Sequence, residues 1–414
     1  MEEKNSEKKE RKMRDSGIPW IGEVPEGWEF SKIKYHCTMK SGDNITALDI
    51  SDNGEYPVYG GNGLRGFYKI YNKNGNHILI GRQGALAGNV HLVNGKFWAT
   101  DHAVIVTLKN DVFINYFFRM LESMNLNQYA FDTAAQPGLS VSRIMNLNIV
   151  LPNLKEQHRI ADFLGSKCSE IDTLIENLRA RMESAKEYKK AVITEAVTKG
   201  LDKDAKMKDS GVEWIGEIPE GWKVVRFKHI ASIKSNLVQP DKYMKYPQIA
   251  PDNIEKDTGR LLSHQTVEES GVISGNHLFY RGQILYSKIR HNLNKLTVAP
   301  FDGLCSADMY PIESKLPTLF MVYSMLSTYF VSQVSLIIQD RVKMPKINQE
   351  ELGEIKVAVP SQQEMLTIAD YLDSKCSEID ALLQNYEYQI ATLEEYKKSL
   401  IYEYVTGKKE VPEA

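Results

Sequence analysis

The chain has 414 residues, of which 42% are hydrophobic and 25% charged, and its formal net charge at pH 7 is −3. This length exceeds what one hydrophobic core usually holds and predicts two or three domains, while the composition is typical of a globular protein rather than a disordered or fibrous one. No apolar run is long enough to span a membrane. Four cysteines without metal-ligand spacing indicate a reduced, cytoplasmic protein.

An opening phrase near the start of the chain returns in its middle. Residues 1–14 carry mixed charge without an apolar segment and predict a solvated tail rather than a signal peptide. The phrase DSGIPWIGEVPEGW begins at Asp15, and DSGVEWIGEIPEGW begins at Asp209, 194 residues later. This period is too long for a solenoid and indicates a duplicated unit.

Each unit then continues into a body whose sequence differs from that of the other. Residues 56–100 and residues 270–301 contain no Asp or Glu, yet both stretches hold several Lys and Arg residues. Short β-type runs separated by Gly and Asn, together with helical segments, predict a mixed α/β body in each unit. Clustered cations in an otherwise acidic chain favour a polyanion-binding surface; the alternative is a solvated face that lacks acids by chance.

DNA sequence is read by polar and cationic side chains at base edges, supported by contacts to phosphates. The candidate contacts are therefore the side chains of these types in the cationic stretches and in a polar loop near the end of each body. They are Arg65, Lys69, Arg82, Gln83, Gln136, Ser140 and Arg143 in the first body, and Lys288, Arg290, His291, Asn292, Lys295, Gln339, Arg341, Lys343 and Lys346 in the second.

A helical phrase closes each unit. It starts IADFLGSKCSEID at Ile160 and IADYLDSKCSEID at Ile368, an offset of 208 residues that exceeds the first offset by 14. Apolar residues recur at seven-residue steps, which predicts a coiled-coil rod of roughly 60 Å in each unit. The stripe comprises Leu164, Ile171, Ile175, Leu178 and Met182 in the first helix, and Leu372, Ile379, Leu383, Ile390 and Leu393 in the second.

A narrow apolar stripe needs a partner, and the simplest partner for each helix is the other. The predicted fold class is α+β, with two α/β bodies separated by two long antiparallel coiled-coil helices and related by a pseudo-twofold internal duplication. The alternative is that each helix packs only on its own body. The predicted boundaries are 1–14 (tail), 15–153 (first body), 154–200 (first helix), 201–360 (second body with its linker), 361–406 (second helix) and 407–414 (tail).

No pattern in the sequence predicts catalysis. Gly61, Gly63 and Gly66 satisfy G-x-G-x-x-G, but an aromatic β-like run follows them, where a dinucleotide site needs a helix N-terminus. A sparse nuclease-like set could be drawn from Asp241, Glu313 and Lys315, although such sets arise by chance in chains of this size. No metal site is predicted.

The repeated frame resembles a known family. The phrase SGxxWIGExPEGW, a body ending in LP or VP, and then IADFL or IADYL, SKCSEID and EYKK, all present twice, resemble the specificity subunit of a type I restriction–modification enzyme. The resemblance covers nearly the whole chain after the N-terminal tail. It implies that each body is a target recognition domain for one half of a split, asymmetric DNA site, and that the helices set the spacer between the halves.

The resemblance also implies partners and their cofactors. Two modification subunits would dock on the helices and methylate adenine in double-stranded DNA from S-adenosylmethionine, and restriction subunits would add ATP- and Mg-dependent translocation and cleavage. This chain would bind no cofactor and catalyse nothing. Three alternatives stay open: a neighbouring system with one fused methyltransferase–nuclease partner, a stand-alone nuclease, and a coiled-coil scaffold without sequence recognition.

Overall fold

The computed structural model describes residues 11–84, 87–129, 138–339, 341 and 345–412. Two of the candidate DNA contacts, Gln136 and Lys343, lie outside these residues. The chain forms two compact units: the first is Met1–Leu178 with Tyr388–Ala414, and the second is Arg179–Glu387. Each unit therefore contains one body and parts of both long helices.

The first body is built from short strands and short helices that precede a long helix. In chain order they are β1 (Met13–Asp15), β2 (Glu23–Pro25), β3 (Glu29–Lys32), α1 (Ile33–His36), β4 (Cys37–Ser41), β5 (Tyr56–Gly60), β6 (Gly63–Tyr68), β7 (Lys73–Asn74), β8 (His77–Gly81), β9 (Val90–Val93), β10 (Lys96–Ala99), β11 (Ala103–Leu108), α2 (Ile114–Ser123), α3 (Val141–Met145), β12 (Asn148–Leu151) and α4 (Leu154–Lys199).

Two four-stranded sheets form this body, in the orders β4-β11-β8-β9 and β6-β5-β10-β7. The first sheet is antiparallel, and the second contains a parallel pair between β10 and β5. Strand β12 returns to pair with β3, near the start of the body. Since Tyr116 and Phe117 of α2 are fully buried in the same hydrophobic cluster as Leu164 of α4, the long helix is part of the core of the first unit.

The second body follows the same plan with more elements. In chain order they are β13 (Met207–Asp209), β14 (Glu217–Pro219), β15 (Lys223–Arg226), α5 (Phe227–Ile230), β16 (Ala231–Ile233), β17 (Leu237–Val238), β18 (Pro247–Ile249), β19 (Gln265–Thr266), α6 (Val267–Ser270), β20 (Asn276–Phe279), β21 (Ile284–Ser287), β22 (Leu296–Val298), β23 (Gly303–Cys305), β24 (Met309–Ser314), α7 (Thr318–Leu326), α8 (Thr328–Ile338), α9 (Gln349–Glu354), β25 (Lys356–Val359) and α10 (Gln362–Val405).

The sheets of the second body repeat the topology of the first, although the sequences of the bodies differ. The order β16-β24-β21-β22 matches β4-β11-β8-β9, and β25 pairs with β15 as β12 pairs with β3. The second sheet, β17-β20-β23-β18-β19, again contains a parallel pair, between β18 and β23. The duplication inferred from the repeated phrases therefore extends through the bodies.

The two long helices run antiparallel within each unit. In the first unit, the ring of Phe163 packs 4.6 Å from that of Tyr404, and nine residues further along α4 Asp172 pairs with Lys397 at 2.7 Å. In the second unit, Lys189 pairs with Asp380 at 2.7 Å, and the later residue Gly200 lies beside Glu364. As α4 advances, its partners on α10 recede, so the α+β class, the duplication and the antiparallel long helices are confirmed.

Six residues of the predicted stripe are buried, and the other four, Met182, Leu383, Ile390 and Leu393, are half-buried. In the first unit Ile171 and Ile175 of α4 share a cluster with Ile390 and Leu393 of α10. Leu372, by contrast, lies in the core of the second unit beneath the body. The helices therefore pack both on each other and on the bodies, so the two alternatives drawn from the sequence are both partly realised.

No single helix among the described residues has the length and apolar composition of a membrane span. Helices α7 and α8 meet such a composition only when taken together, and they bend by 59° at Ser327. Their residues Phe320 and Phe330 are fully buried in the core of the second unit. Helices α7 and α8 therefore form part of the hydrophobic core of the second unit.

Candidate nucleic-acid interface

In the first body, the chain leaving β8 is joined to the loop before α3. Arg82 N donates to His102 O at 2.9 Å, and Arg82 O accepts from Leu139 N at 2.9 Å. Gln83 forms an isolated antiparallel bridge with Gly138. Candidate contacts from two separate stretches of sequence are thereby brought to one edge of the body.

Arg65 reaches the same edge from the turn between β5 and β6. A Cβ at Gly61 would lie 3.1 Å from His102 O and 3.7 Å from Arg82 N, so this turn packs directly on the chain leaving β8. A Cβ at Gly60 would lie 2.5 Å from Arg65 Cδ, because the side chain of Arg65 crosses that glycine. The absence of a side chain at these two positions lets the turn approach the edge.

Arg65 and Arg82 are exposed, and neither forms an ion pair with a carboxylate in the described part of the chain. Arg82 Nη1 donates to Ser41 Oγ at 3.2 Å. The ion pairs of this body involve other groups, such as Arg119 with Glu122 at 2.7 Å. Both guanidinium groups are therefore open to an anion such as a DNA phosphate.

The remaining candidates of the first body are less closely associated with the edge. Ser140 is half-buried immediately before α3, and Arg143 on α3 lies with its guanidinium 5.7 Å from the centre of the Tyr129 ring. Lys69 is exposed after β6, and among the described residues no contact joins it to Arg82. We name Arg65, Arg82, Gln83 and the loop from 138 to 140 the first cationic edge.

The end of β21 in the second body is held in the same way. Lys288 N donates to Asp308 O at 3.0 Å, and Lys288 O accepts from Ile347 N at 3.1 Å. Ile289 forms an isolated antiparallel bridge with Lys346. The loop before α9 is thus docked on the chain leaving β21, as the loop before α3 is docked on the chain leaving β8.

These backbone hydrogen bonds define equivalent positions in the two bodies. Lys288 corresponds to Arg82, and Asp308 corresponds to His102, each at an offset of 206 residues. The offset of the opening phrase is 194, so most of the extra length of the second body precedes β21. The residues at these equivalent positions differ in type, so the sequence does not reveal the equivalence. The two bodies share only the pattern of backbone hydrogen bonds.

A strained turn displays further candidates of the second body. Arg290 and Asn294 both adopt left-handed backbone, with φ of 48° and 36°, on either side of the single 3₁₀ turn His291–Leu293. Arg290 and Asn292 are exposed. Burial lowers the pKa of His291, which favours its neutral form. Such a turn fixes the direction of its side chains at the expense of backbone strain.

Two candidate cations of the second body already have acidic partners. Lys346 pairs with Asp308 at 2.8 Å, and Arg341 pairs with Glu351. Burial is the largest cause of a lowered pKa at Lys288, and the nearby positive charge of Lys346 acts in the same direction, while Asp308 opposes it. We name Lys288, Arg290, Asn292 and Lys346 with its acidic partner the second cationic edge.

Lys295 and Gln339 complete the candidates of the second body. The ammonium of Lys295 donates to Pro251 O at 2.8 Å, and its side chain is only 16% exposed. Lys295 therefore holds the protein rather than presenting a charge, and its assignment as a DNA contact is not supported by its position. Gln339 is exposed after α8. Sequence reasoning missed Asp308 and Glu351, since neither belongs to a recognisable motif.

The glycine motif and the nuclease-like set drawn from the sequence do not form a catalytic site among the described residues. Gly63 and Gly66 lie in strand β6, so no helix N-terminus follows the glycine motif. Glu313 pairs with Lys234 at 2.8 Å, and Lys315 donates to His229 O at 3.2 Å. Within the described ranges, no group of three His, Cys, Asp or Glu side chains is arranged to hold a metal ion.

The surface of the helices carries a second repeated feature. Leu174 and Tyr396 in the first unit are 52% and 55% exposed, and their counterparts Leu382 and Tyr188 in the second are 42% and 54% exposed. Each residue and its counterpart are 208 residues apart, which is the offset of the helical phrase. The repeat therefore places one exposed leucine and one exposed tyrosine at equivalent positions in the two units.

Comparisons with known proteins place these features in context. The family described as the type I restriction modification DNA specificity domain matches residues 25–184. The EcoDI type I specificity subunit of Escherichia coli is 34% identical over 267 residues, which cover 60% of each chain. The EcoprrI specificity subunit of the same organism is 41% identical over 152 residues, or 36% of this chain and 38% of the relative.

These E. coli alignments cover less than two thirds of either relative, whereas one match to an archaeal protein spans nearly the whole chain. The MjaVIII type I specificity subunit of Methanocaldococcus jannaschii is 28% identical over 423 residues, covering 93% of each chain. A solved chain from work on assembly and conformational transition of the type I restriction–modification system shares the fold, with a TM-score of 0.65 and 15% identity over 93% of this chain and 99% of that one. Residues 25–184 thus match the type I DNA specificity domain, and the chain is similar over nearly its whole length to specificity subunits of type I restriction–modification systems.

Proposed function

We propose that this chain binds double-stranded DNA sequence-specifically, with each body reading one half of an asymmetric bipartite site. The observation that carries the proposal is the pair of cationic edges, which are held by equivalent backbone hydrogen bonds but present different side chains. The shared backbone gives both bodies one docking geometry. Different side chains, such as Gln83 against Ile289, give them different base preferences.

The chain is proposed to act as the non-catalytic subunit of a larger enzyme in the cytoplasm. Two modification subunits would supply adenine-N6 methylation from S-adenosylmethionine, and restriction subunits would supply ATP- and Mg-dependent translocation and cleavage. The exposed surfaces around Leu174 with Tyr396, and Tyr188 with Leu382, support the placement of one modification subunit on each unit. Two equivalent surfaces fit two copies of one partner.

The test of recognition is methylation mapping. The chain is expressed with the modification subunit of its own system in a methylation-free host, and modified bases are detected by sequencing. We expect a split, asymmetric motif with methylated adenine in both halves. Arg82→Ala should relax only one half and Arg290→Ala only the other. A soluble, assembled complex that adds no methylation would refute the proposal, and a fused methyltransferase–nuclease partner would identify the neighbouring class.

The docking surfaces are tested by subunit stoichiometry. Leu174→Glu and Leu382→Glu each place a charge in one of the two apolar surfaces, so each should remove one modification subunit in native mass spectrometry. Leu48→Glu is the matched control, because Leu48 is 98% exposed in a single 3₁₀ turn of the first body. Full occupancy in both helix variants would exclude these surfaces as the docking sites.

A further inference from the structure

A serine, a histidine and an aspartate form a hydrogen-bonded chain in the first unit, outside the residues assigned to DNA. His36 Nε2 lies 2.6 Å from Ser31 Oγ, and His36 Nδ1 lies 2.7 Å from Asp111 Oδ2. Ser31 lies on β3, His36 ends α1, and Asp111 lies between β11 and α2. Neither the DNA edges nor the helices use this group.

The hydrogen bonds decide where the protons lie. The carboxylate of Asp111 offers only acceptors, so Nδ1 of His36 must carry the proton that is shared with it. When the imidazole carries only this proton, Nε2 is an acceptor and the hydroxyl of Ser31 donates to it. This is the tautomer that a general base needs in order to take the proton of a serine nucleophile.

Ser31 opens into a pocket of about 650 Å³. Ile18, Phe30 and Tyr35 give the pocket apolar walls, and Lys32 and Asn148 add hydrogen-bond donors to its lining. Donors of this kind are what a developing oxyanion requires. The pocket therefore combines a positioned nucleophile, a base, an orienting carboxylate and room for a small substrate.

The second unit shows that the fold does not need this chain of hydrogen bonds. The positions that correspond to Ser31 and His36 at the offset of the opening phrase are Val225 and Ile230, in the equivalent elements β15 and α5. Since apolar residues form the same strand and helix there, the polar residues of the first unit are not a requirement of the repeated frame.

We propose that Ser31 is an activated nucleophile with esterase activity toward small esters of apolar acyl groups. Ser31 Oγ attacks the carbonyl carbon while its proton passes to His36 Nε2, and Asp111 stabilises the resulting imidazolium. The C–O bond to the leaving alcohol then breaks, and His36 returns the proton to the departing oxygen. Water then attacks the acyl carbon while His36 Nε2 takes its proton, the bond between that carbon and Ser31 Oγ breaks, and His36 returns the proton to Oγ as the acid is released. The activity is independent of the proposed DNA function.

The experiment is covalent labelling of the purified full-length chain with an alkyl fluorophosphonate, with the labelled serine identified by peptide mass spectrometry. Attack by Ser31 on phosphorus expels fluoride, and His36 takes the proton, so the reaction needs the same two groups. We expect Ser31 to be labelled. His36→Gln and Asp111→Asn should slow labelling, the former by about 100-fold or more, which is the usual contribution of a general base.

Ser142→Ala is the matched control, because Ser142 is an exposed serine of the same unit and should not affect the rate. Ser31→Ala should abolish labelling and the hydrolysis of p-nitrophenyl acetate while keeping the melting temperature and the methylation of target DNA. Labelling of Ser31 in folded wild-type protein at no more than the rate of Ser142 would overturn the proposal. So would a rate that His36→Gln leaves unchanged.

Discussion

The two cationic edges differ in how their charges are partnered. On the first edge, the guanidinium of Arg82 contacts a hydroxyl, that of Ser41. On the second edge, the loop lysine that is docked beside Lys288 is Lys346, and it already pairs with Asp308 at 2.8 Å. The position of Asp308 is occupied by His102 in the first body; the neighbouring Asp101 lies 4.0 Å from the imidazole of His102 and forms no ion pair with Arg82.

This difference has a consequence for how the bodies meet DNA. A phosphate approaching Arg82 meets a cation with no acid to displace, whereas a phosphate approaching Lys346 must compete with Asp308. Exposed ion pairs are weak, of order 0–1 kcal/mol, so the competition reduces affinity without abolishing it. We expect the first edge to supply more of the general attraction, and the second to depend more on the match between base edges and its strained turn.

The largest expected effect comes from Arg82. Arg82→Ala removes an unpartnered guanidinium from the centre of the first edge and should weaken binding of the assembled methyltransferase to its target by about 10- to 100-fold, or roughly 1–3 kcal/mol. Fluorescence anisotropy at fixed salt measures it. Lys69→Ala is the control, as an exposed cation of the same body away from the edge. Equal losses in the two variants would show that only total charge matters.

The cationic edges also show what sequence reasoning could reach. The acid-free stretches predicted Arg82 and Lys288 as members of basic surfaces, because charge is visible in the composition of a segment. Their equivalence stayed hidden, because it resides in backbone hydrogen bonds to His102 and Asp308. Lys295 looked like its neighbours in sequence, yet its ammonium turns to a backbone carbonyl.

The fold was more accessible than the site for a physical reason. Heptad spacing is a local property of the sequence, so the long helices followed from it directly. Whether a helix also packs on a body depends on surfaces contributed by distant residues. Tyr404, for example, completes the core of the first unit from near the end of the chain. No local sequence pattern around Tyr404 predicts that contact.

A second comparison between the units concerns their matched helix ion pairs. Lys189 and Lys397 are repeat counterparts, but the side chain of Lys189 is 9% exposed and that of Lys397 is 21% exposed. Lys189→Ala should lower the free energy of unfolding by about 1 kcal/mol, through lost packing of the alkyl stem and an unpaired Asp380. Lys397→Ala should cost less. Urea denaturation with a constant m-value measures both, and an inverted order would contradict the role given to burial.

Asp308→Asn removes the acid that distinguishes the second edge. Lys346 then has no carboxylate to leave, so binding to DNA should tighten by about two- to five-fold, and the slope of log K against log salt should steepen by up to about one phosphate contact. His102→Asn at the equivalent position of the first body is the matched control and should leave the slope unchanged. If the slope steepens equally in both variants, the proposed difference in charge pairing between the two edges is wrong.

The smallest expected effect is a difference between the two bodies in how strongly acid lowers their stability, which arises from their buried histidines. Burial is the largest cause of a lowered pKa at His91 in the first body, and at His277 and His291 in the second. With a folded pKa below the unfolded value of about 6.5, the unfolded state binds more protons as pH falls. The contribution to stability is therefore complete only well above pH 6.5 and is lost as the pH falls through 6.5, with a loss of at most about 0.4 kcal/mol per histidine at pH 6.5.

The two bodies should contribute unequally to this loss, because the second has two such histidines. His277→Asn combined with His291→Asn should remove more of the difference in unfolding free energy between pH 7.5 and pH 6 than His91→Asn removes. The comparison uses the pH-dependent difference within each variant, so a lower baseline stability does not obscure it. Equal differences in all variants would mean that the acid sensitivity arises from other groups.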